Sequence, residues 1–445
     1  MKANVRETQG EGHRGLRIAT LGVLGAYLLL ALYLLWRTAV LTPFSDEINW
    51  AFSWYQLKGD HDWLGYLLAP HNLNRLAWTR ILLALDMGAL GGTNAPLIVS
   101  GGVALGVTAA ILGAQAARAA PRPLALAWGT LAAMLTLMAG NVLDASFPIN
   151  VTYAHAAVFA VAAISLSEGA PRTALGWRGV GALLCAAASA FGSGAGLALF
   201  PVMAWGALRR RDWGWLAIVT VLGVVFVGLY VSGQRQGAAS DALPALHDPK
   251  SALILSLNYL VLPWTRLSPH FAWTIGLAVA AAATALILAR GGPQARPVER
   301  IACGFMLFSL GTAAMAGLGR AGVTDPYDVP IRYGLLVAPL QAGALILAAP
   351  WAERLWRLRP QLAHALVLTL LLGMFAQNAV LAAKVVRASD VMRGIVADYQ
   401  AGRRTSQTLA VVYPTPAFAD ALFARMRHDG LFQHELHLKP AAPAR

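Results

Sequence analysis

Charge is what this sequence has least of. Of its 445 residues, 13% are charged and 57% hydrophobic, against about 25% charged in soluble globular chains. That deficit excludes an ordinary soluble enzyme, and the apolar content excludes a disordered chain. Cysteine is nearly absent as well. Cys185 and Cys303 both lie within apolar runs, so neither a disulfide framework nor a cysteine metal site is expected. No Walker A motif or dinucleotide fingerprint occurs. No internal repeat occurs either, which argues against transporter folds.

What is present is a series of continuous Ala- and Leu-rich runs. Lipid cannot hydrogen-bond a backbone, so only helices or closed barrels span it. Runs without alternation favour helices. The expected fold is an all-α, polytopic integral membrane protein. With about 20 residues per crossing, eleven spans are expected: Ala19–Trp36, Ala95–Ala117, Pro123–Val142, Asn150–Ser167, Val180–Phe191, Gly194–Leu208, Trp213–Ser232, Phe271–Ala289, Ile301–Gly319, Tyr333–Ala349 and Ala363–Ala383. Val180–Phe191 and Gly194–Leu208 are short and read as a tight hairpin turning on Gly192, Gly194 and Gly196. No small-residue cleavage site follows the first run, so it reads as a retained span and not a signal peptide. These limits divide the chain into a membrane domain, 1–383, with a first outer loop at 37–94, and a small C-terminal segment, 384–445.

The net charge of +14 would suit nucleic acid, but its distribution argues against that partner. With the N-terminus inside, the segments 1–18, 118–122, 168–178, 209–212, 290–300 and 350–362 hold 17 Lys and Arg, while the short outer loops hold only Arg320 and Arg332. That is the bias of loops retained on the inner face, and an odd span count puts the C-terminus outside. Acidic residues run the other way, with 15 of 21 outside. Carboxylate chemistry therefore belongs to the outer face.

The first outer loop holds the sharpest motif. Directly after the first span come Ser45, Asp46, Glu47, Ile48, Asn49 and Trp50. A carboxylate here can take a proton from an attacking hydroxyl or hold a divalent cation beside a phosphate. The same residues also read as a helix cap with acids in its first turn. Farther on, His71, Asn72, Leu73, Asn74 and Arg75 precede Leu76–Leu90, an amphipathic stretch expected to lie along the membrane surface.

This layout resembles the GT-C class of integral-membrane glycosyltransferases, in particular a poorly characterised bacterial branch. Those proteins carry an acidic pair after the first span and then a His-Asn-Glu-His-Arg-like motif. Here His71, Asn72 and Arg75 match, while Leu73 and Asn74 replace the Glu and His. Ser189–Pro201 resembles their short hairpin, Ile331-Arg332-Tyr333 their Ser-Arg-Tyr motif, and Val412-Tyr413-Pro414 with Ala417–Met426 their closing segment.

The resemblance implies a polyprenyl-phosphate-linked sugar donor and a glycan or lipid acceptor, joined on the periplasmic face of a bacterial inner membrane during cell-envelope polysaccharide synthesis. It implies catalytic roles for Asp46, Glu47 and His71, with Asp46 a base or the ligand of Mg2+ or Mn2+. It also implies that Asn72, Arg75, Arg332 and Tyr333 bind substrate or phosphate. Metal dependence stays open, because arginines alone can neutralise a phosphate.

Other polar residues admit two readings. Arg332 suits a phosphate clamp or a snorkelling interfacial arginine. Asp144 is a second acid opposite Asp46 or a loop cap. His155, inside a span, is a functional candidate or a hydrogen-bonded neutral histidine. Trp50, Trp54 and Trp63 suit stacking on a sugar or, the favoured reading, an interfacial belt. Competing functions are a flippase or transporter of lipid-linked saccharide, an O-antigen polymerase or ligase, and an assembly protein without chemistry. The first would place charges along the spans, and the second would place its key residues in a large late loop. Neither pattern is present.

Overall fold

The computed structural model describes residues 2–71, 74–168, 176–232, 247–262, 269–321 and 324–433, and within them every regular element is a helix. In chain order these are α1 (Lys2–Thr38), α2 (Asp46–Asp60), α3 (Trp63–Leu68), α4 (Ala77–Ala89), α5 (Ala95–Ala119), α6 (Ala125–Thr136), α7 (Ala139–Ala145), α8 (Val151–Glu168), α9 (Trp177–Gly192), α10 (Leu199–Arg210) and α11 (Trp213–Ser232). There follow α12 (Pro249–Leu260), α13 (Pro269–Arg290), α14 (Pro297–Arg320), α15 (Gly334–Leu358), α16 (Pro360–Gln400), α17 (Ser406–Val411) and α18 (Pro416–His428). Short 3-10 turns at Pro148–Asn150, Gly194–Ala198 and Ile331–Tyr333 lead into α8, α10 and α15.

Among the described residues, eight helices are long and apolar enough to cross a membrane, and a ninth crossing results if the bent pair α6–α7 counts as one. The expected count of eleven is thus not confirmed. The difference lies in α9 and α10, which have 16 and 12 residues. At 1.5 Å per residue they reach about 24 and 18 Å, short of a hydrocarbon core about 30 Å thick. They form the hairpin read from the glycines. A Cβ on Gly196 would collide with the Ser189 carbonyl, and one on Gly192 would lie 2.9 Å from the Ala156 amide nitrogen. A side chain at Gly192 would force the hairpin off α8, and one at Gly196 would open the hairpin's own turn against α9.

The α6–α7 span bends by 54°, and the bend frees backbone groups that lipid cannot satisfy. Three side chains supply partners. Tyr27 donates to the Met134 carbonyl at 2.9 Å, Asn141 donates to the Thr136 carbonyl at 2.9 Å, and the Asn378 side-chain oxygen accepts from the Ala139 N–H at 2.7 Å.

The two ends of the bundle differ in charge. At one end Glu168, which closes α8, pairs with Arg210 from α10 and with Arg300 from α14, the latter at 3.3 Å. Arg209 donates to the Gly291 carbonyl at 2.9 Å. Three segments expected to share a side therefore meet in space. Asp46, Asp144, Arg320 and Arg332 occupy the other end, where the first loop, α17 and α18 also lie. The boundary drawn at 383/384 falls inside α16, which runs unbroken to Gln400.

Glu168 is buried between two partly buried arginines, and removing one member of a buried ion pair costs about 3–5 kcal/mol because the remaining charges lose their partner. Glu168→Ala is expected to lower the thermal midpoint of detergent-solubilised protein well below that of Glu353→Ala, whose partner Arg357 is exposed. Equal midpoints would show that the triad is not a structural clamp.

Candidate functional site

Asp46 opens α2, and its Oδ2 lies 3.2 Å from Nε2 of His71. Its side chain is 48% exposed and that of His71 13%, so the pair sits at the surface with the imidazole behind the carboxylate. The His71 hydrogen bond holds the Asp46 carboxyl below its ordinary pKa. Partial burial opposes that shift, and the charges of His71, Arg332 and Arg320 add to it. Asp46 is thereby kept ionised under the field of two guanidinium groups.

The approach of His71 depends on its backbone pairing with Asn74. His71 and Asn74 exchange backbone hydrogen bonds, each 2.9 Å, and Trp50 meets the imidazole edge-on at 5.4 Å. Asn74 anchors this pairing, its side-chain oxygen accepting from the Gly194 N–H at 2.7 Å and the Ser193 hydroxyl at 3.2 Å. A residue that departs from the resembled motif thus ties the first loop to the hairpin. Asn72 and Leu73 lie outside the described residues.

The other expected site residues divide. Arg75 is buried, and its guanidinium donates to the carbonyls of Leu68 and, at 2.8 Å, Leu229. It closes the ends of α3 and α11 instead of facing a phosphate. Glu47, next to Asp46, lies on a different face of α2, because successive helix positions are about 100° apart. It is fully buried near Asp86 and Asn94, and neither carboxyl oxygen has a hydrogen-bond partner. Burial pushes its pKa up to about 8, the approach of Asn94 and of the Phe44 backbone offsetting part of the rise and the Asp86 charge adding to it. Asp86 itself is satisfied by the Thr93 N–H and hydroxyl, both at 3.0 Å, and by the Asn94 N–H at 2.8 Å. Glu47 is a neutral packing acid between α2 and α4, not a partner of Asp46.

Asp144 is buried in α7 and accepts from the Asn150 amide at 3.2 Å, with Arg332 in its electrostatic range. The Arg332 guanidinium lies 5.7 Å from the Tyr333 ring. Tyr333 is buried, edge-on to Tyr153 at 5.3 Å and stacked on Tyr259 at 5.2 Å. Three tyrosines from three helices form a stiff wall beneath Arg332. Arg320, the last residue of α14, was not singled out in the sequence. Its guanidinium makes no hydrogen bond or ion pair with the described residues, yet its charge reaches both Asp46 and Tyr153. A hint existed, since Arg320 and Arg332 are the only basic residues of the short outer loops.

His155 faces the Ser100 hydroxyl at 3.2 Å, and that hydroxyl donates to the Leu97 carbonyl at 2.8 Å. The histidine is held within the bundle, apart from Asp46. Of the three first-loop tryptophans, Trp50 and Trp54 are buried and Trp63 is exposed, so Trp50 and Trp54 are loop packing and not a belt. Among the described residues no three His, Cys, Asp or Glu side chains converge to hold a metal.

The residue before Asp46 has unusual backbone geometry. Ser45 has φ 54° and ψ −133°, a region close to glycine-only territory that costs about 1–3 kcal/mol and persists only when the surroundings impose it. Its side chain makes no cap hydrogen bond.

No protein-family model, curated protein or solved structure matches the chain.

The raised pKa of Glu47 has a thermodynamic consequence. Between the ordinary carboxyl value and about 8, the folded chain keeps a proton that the unfolded chain releases. Stability from this group is complete at acid pH and is lost as pH rises through that window. Glu47→Gln imitates the neutral acid, so it is expected to raise the thermal midpoint at pH 8 more than at pH 4.5. A difference from wild type that is the same at both pH values would refute a protonated Glu47.

Proposed function

We propose that this chain is a membrane glycosyltransferase that moves a sugar from a polyprenyl-phosphate donor to a hydroxyl of a glycan or lipid acceptor. The observation that carries the reading is the ionised Asp46, braced by His71 and set under Arg332 and Arg320 at one end of a bundle of apolar helices. An anionic base within the electrostatic range of two cations suits a reaction that takes a proton from one substrate and leaves charge on a phosphate. The sequence resemblance to the GT-C class supports the same chemistry.

The acceptor oxygen attacks the anomeric carbon while the bond from that carbon to the donor phosphate oxygen breaks. The acceptor proton passes to Asp46, and the bonding pair departs with the phosphate. Arg332 and Arg320 offset the charge that develops there. Attack from the face opposite the leaving group inverts the anomeric centre. His71 orients Asp46 and keeps it ionised. The tyrosine wall fixes Arg332. Asp144 adds its charge to the surroundings of Arg332. The site end is periplasmic and the Glu168 end cytoplasmic in this reading, with the chain in a bacterial inner membrane.

Deletion of the gene followed by mass spectrometry of extracted surface polysaccharides and glycolipids tests the reading. Loss of one sugar is expected, restored by the wild-type chain. Asp46→Asn should cut transfer by about 10²–10⁴, and Arg320→Ala by on the order of 100-fold. Full restoration by a normally inserted Asp46→Asn chain would remove transferase chemistry from this site.

A further inference from the structure

The strained residue before Asp46 is held by a part of the chain nearly 370 positions away in sequence. The Ser45 N–H donates to the Val412 carbonyl at 2.7 Å. One turn along α2, the Asn49 side-chain oxygen accepts from the Tyr413 hydroxyl at 2.6 Å. Two consecutive residues thus hold α2 on either side of Asp46. Val412 is buried, and Tyr413 stacks on Phe418 at 5.4 Å, which meets Phe52 edge-on at 5.1 Å. The segment is fastened at both ends. Thr405 caps α17 through the Thr408 N–H at 3.1 Å, and at the far end the Phe432 N–H donates to the Gly91 carbonyl at 2.9 Å.

These contacts explain how Ser45 keeps φ 54° without glycine. A serine there relaxes to negative φ unless its N–H is held in place, and that rotation would swing the first turn of α2. Asp46 is the first residue of that turn, and its bond to His71 is a single contact at 3.2 Å. The first loop by itself has no hydrogen bond that fixes the Ser45 amide among the described residues. We infer that Val412 and Tyr413 are positioning residues that hold Asp46 against His71, so the C-terminal segment completes the site from outside the first loop. That Asp46 is catalytic rests on the function proposed above, but the positioning itself does not.

The test measures position directly. In full-length protein with Cys185 and Cys303 replaced by alanine, cysteines are placed at Asp46 and His71 and joined by a short bis-methanethiosulfonate reagent in membranes. A second pair, Arg37→Cys with Asp390→Cys, reports on the α1–α16 contact, where the native side chains are 3.0 Å apart. Tyr413→Phe keeps the ring stack and deletes only the hydroxyl. It is expected to slow 46–71 cross-linking about threefold to tenfold, as fits the loss of one hydrogen bond, and to leave 37–390 cross-linking unchanged. Ser45→Gly adopts positive φ at no steric cost, so it should restore the 46–71 rate in the Tyr413→Phe background. Wild-type 46–71 cross-linking in Tyr413→Phe would overturn the positioning role. Absence of rescue by Ser45→Gly would overturn the part played by strain. In parallel, Tyr413→Phe with native Asp46 and His71 should lower kcat more than it raises KM. If cross-linking behaves as expected while Asp46→Asn restores every glycan, the strap stands and the transferase reading falls.

Discussion

Lipid offers no hydrogen-bond partner to a peptide group, and the rest of this structure depends on that constraint. It makes every regular element a helix. It also governs where a helix is allowed to break. The α6–α7 span bends only where Tyr27, Asn141 and Asn378 take over the freed groups. The α9–α10 hairpin turns back where the Ser193 hydroxyl and the Gly194 amide meet Asn74. Both irregularities lead to the same end of the bundle. The first brings Asp144 there, and the second anchors the pairing that presents His71.

Charge follows the same logic. At the Glu168 end, the carboxylate that closes α8 binds arginines from two other helices, and the group is shielded. At the Asp46 end, Arg320 has no carboxylate or carbonyl within hydrogen-bonding distance among the described residues, and Asp46 keeps half its surface exposed. One set of charges is closed on itself and reads as structure. The other is open, with the Asp46 carboxylate half exposed. This contrast sets the two ends of the molecule apart.

Much of this was legible in the sequence. Nine of the eleven expected spans correspond to apolar helices or to the bent pair, because span length and hydropathy are local properties. The basic clusters foretold which loops would meet. The hairpin was visible in its glycines, although its arms were too short to count as spans. Asp46 and His71 were both singled out, from the position after the first span and from the resembled motif. Their contact was not visible, since 24 residues and two helices separate them. Glu47 and Arg75 looked equivalent to these neighbours in a linear reading. One helical step turned Glu47 into the α2–α4 interface, and two carbonyl groups claimed Arg75.

The sequence by itself determined the solvent, the element type, the approximate crossings and the segregation of charge, because these follow from composition over windows of about 20 residues. Only the tertiary structure decided which polar groups face each other. It set Asp46 against His71, brought Arg320 into its field, retired Glu47 and Arg75 to packing and carried Val412 and Tyr413 onto the first turn of α2. The reason is range. Hydropathy acts residue by residue along the chain, whereas a hydrogen bond or an ion pair requires two groups within a few ångströms, and only the packing of distant helices brings them there.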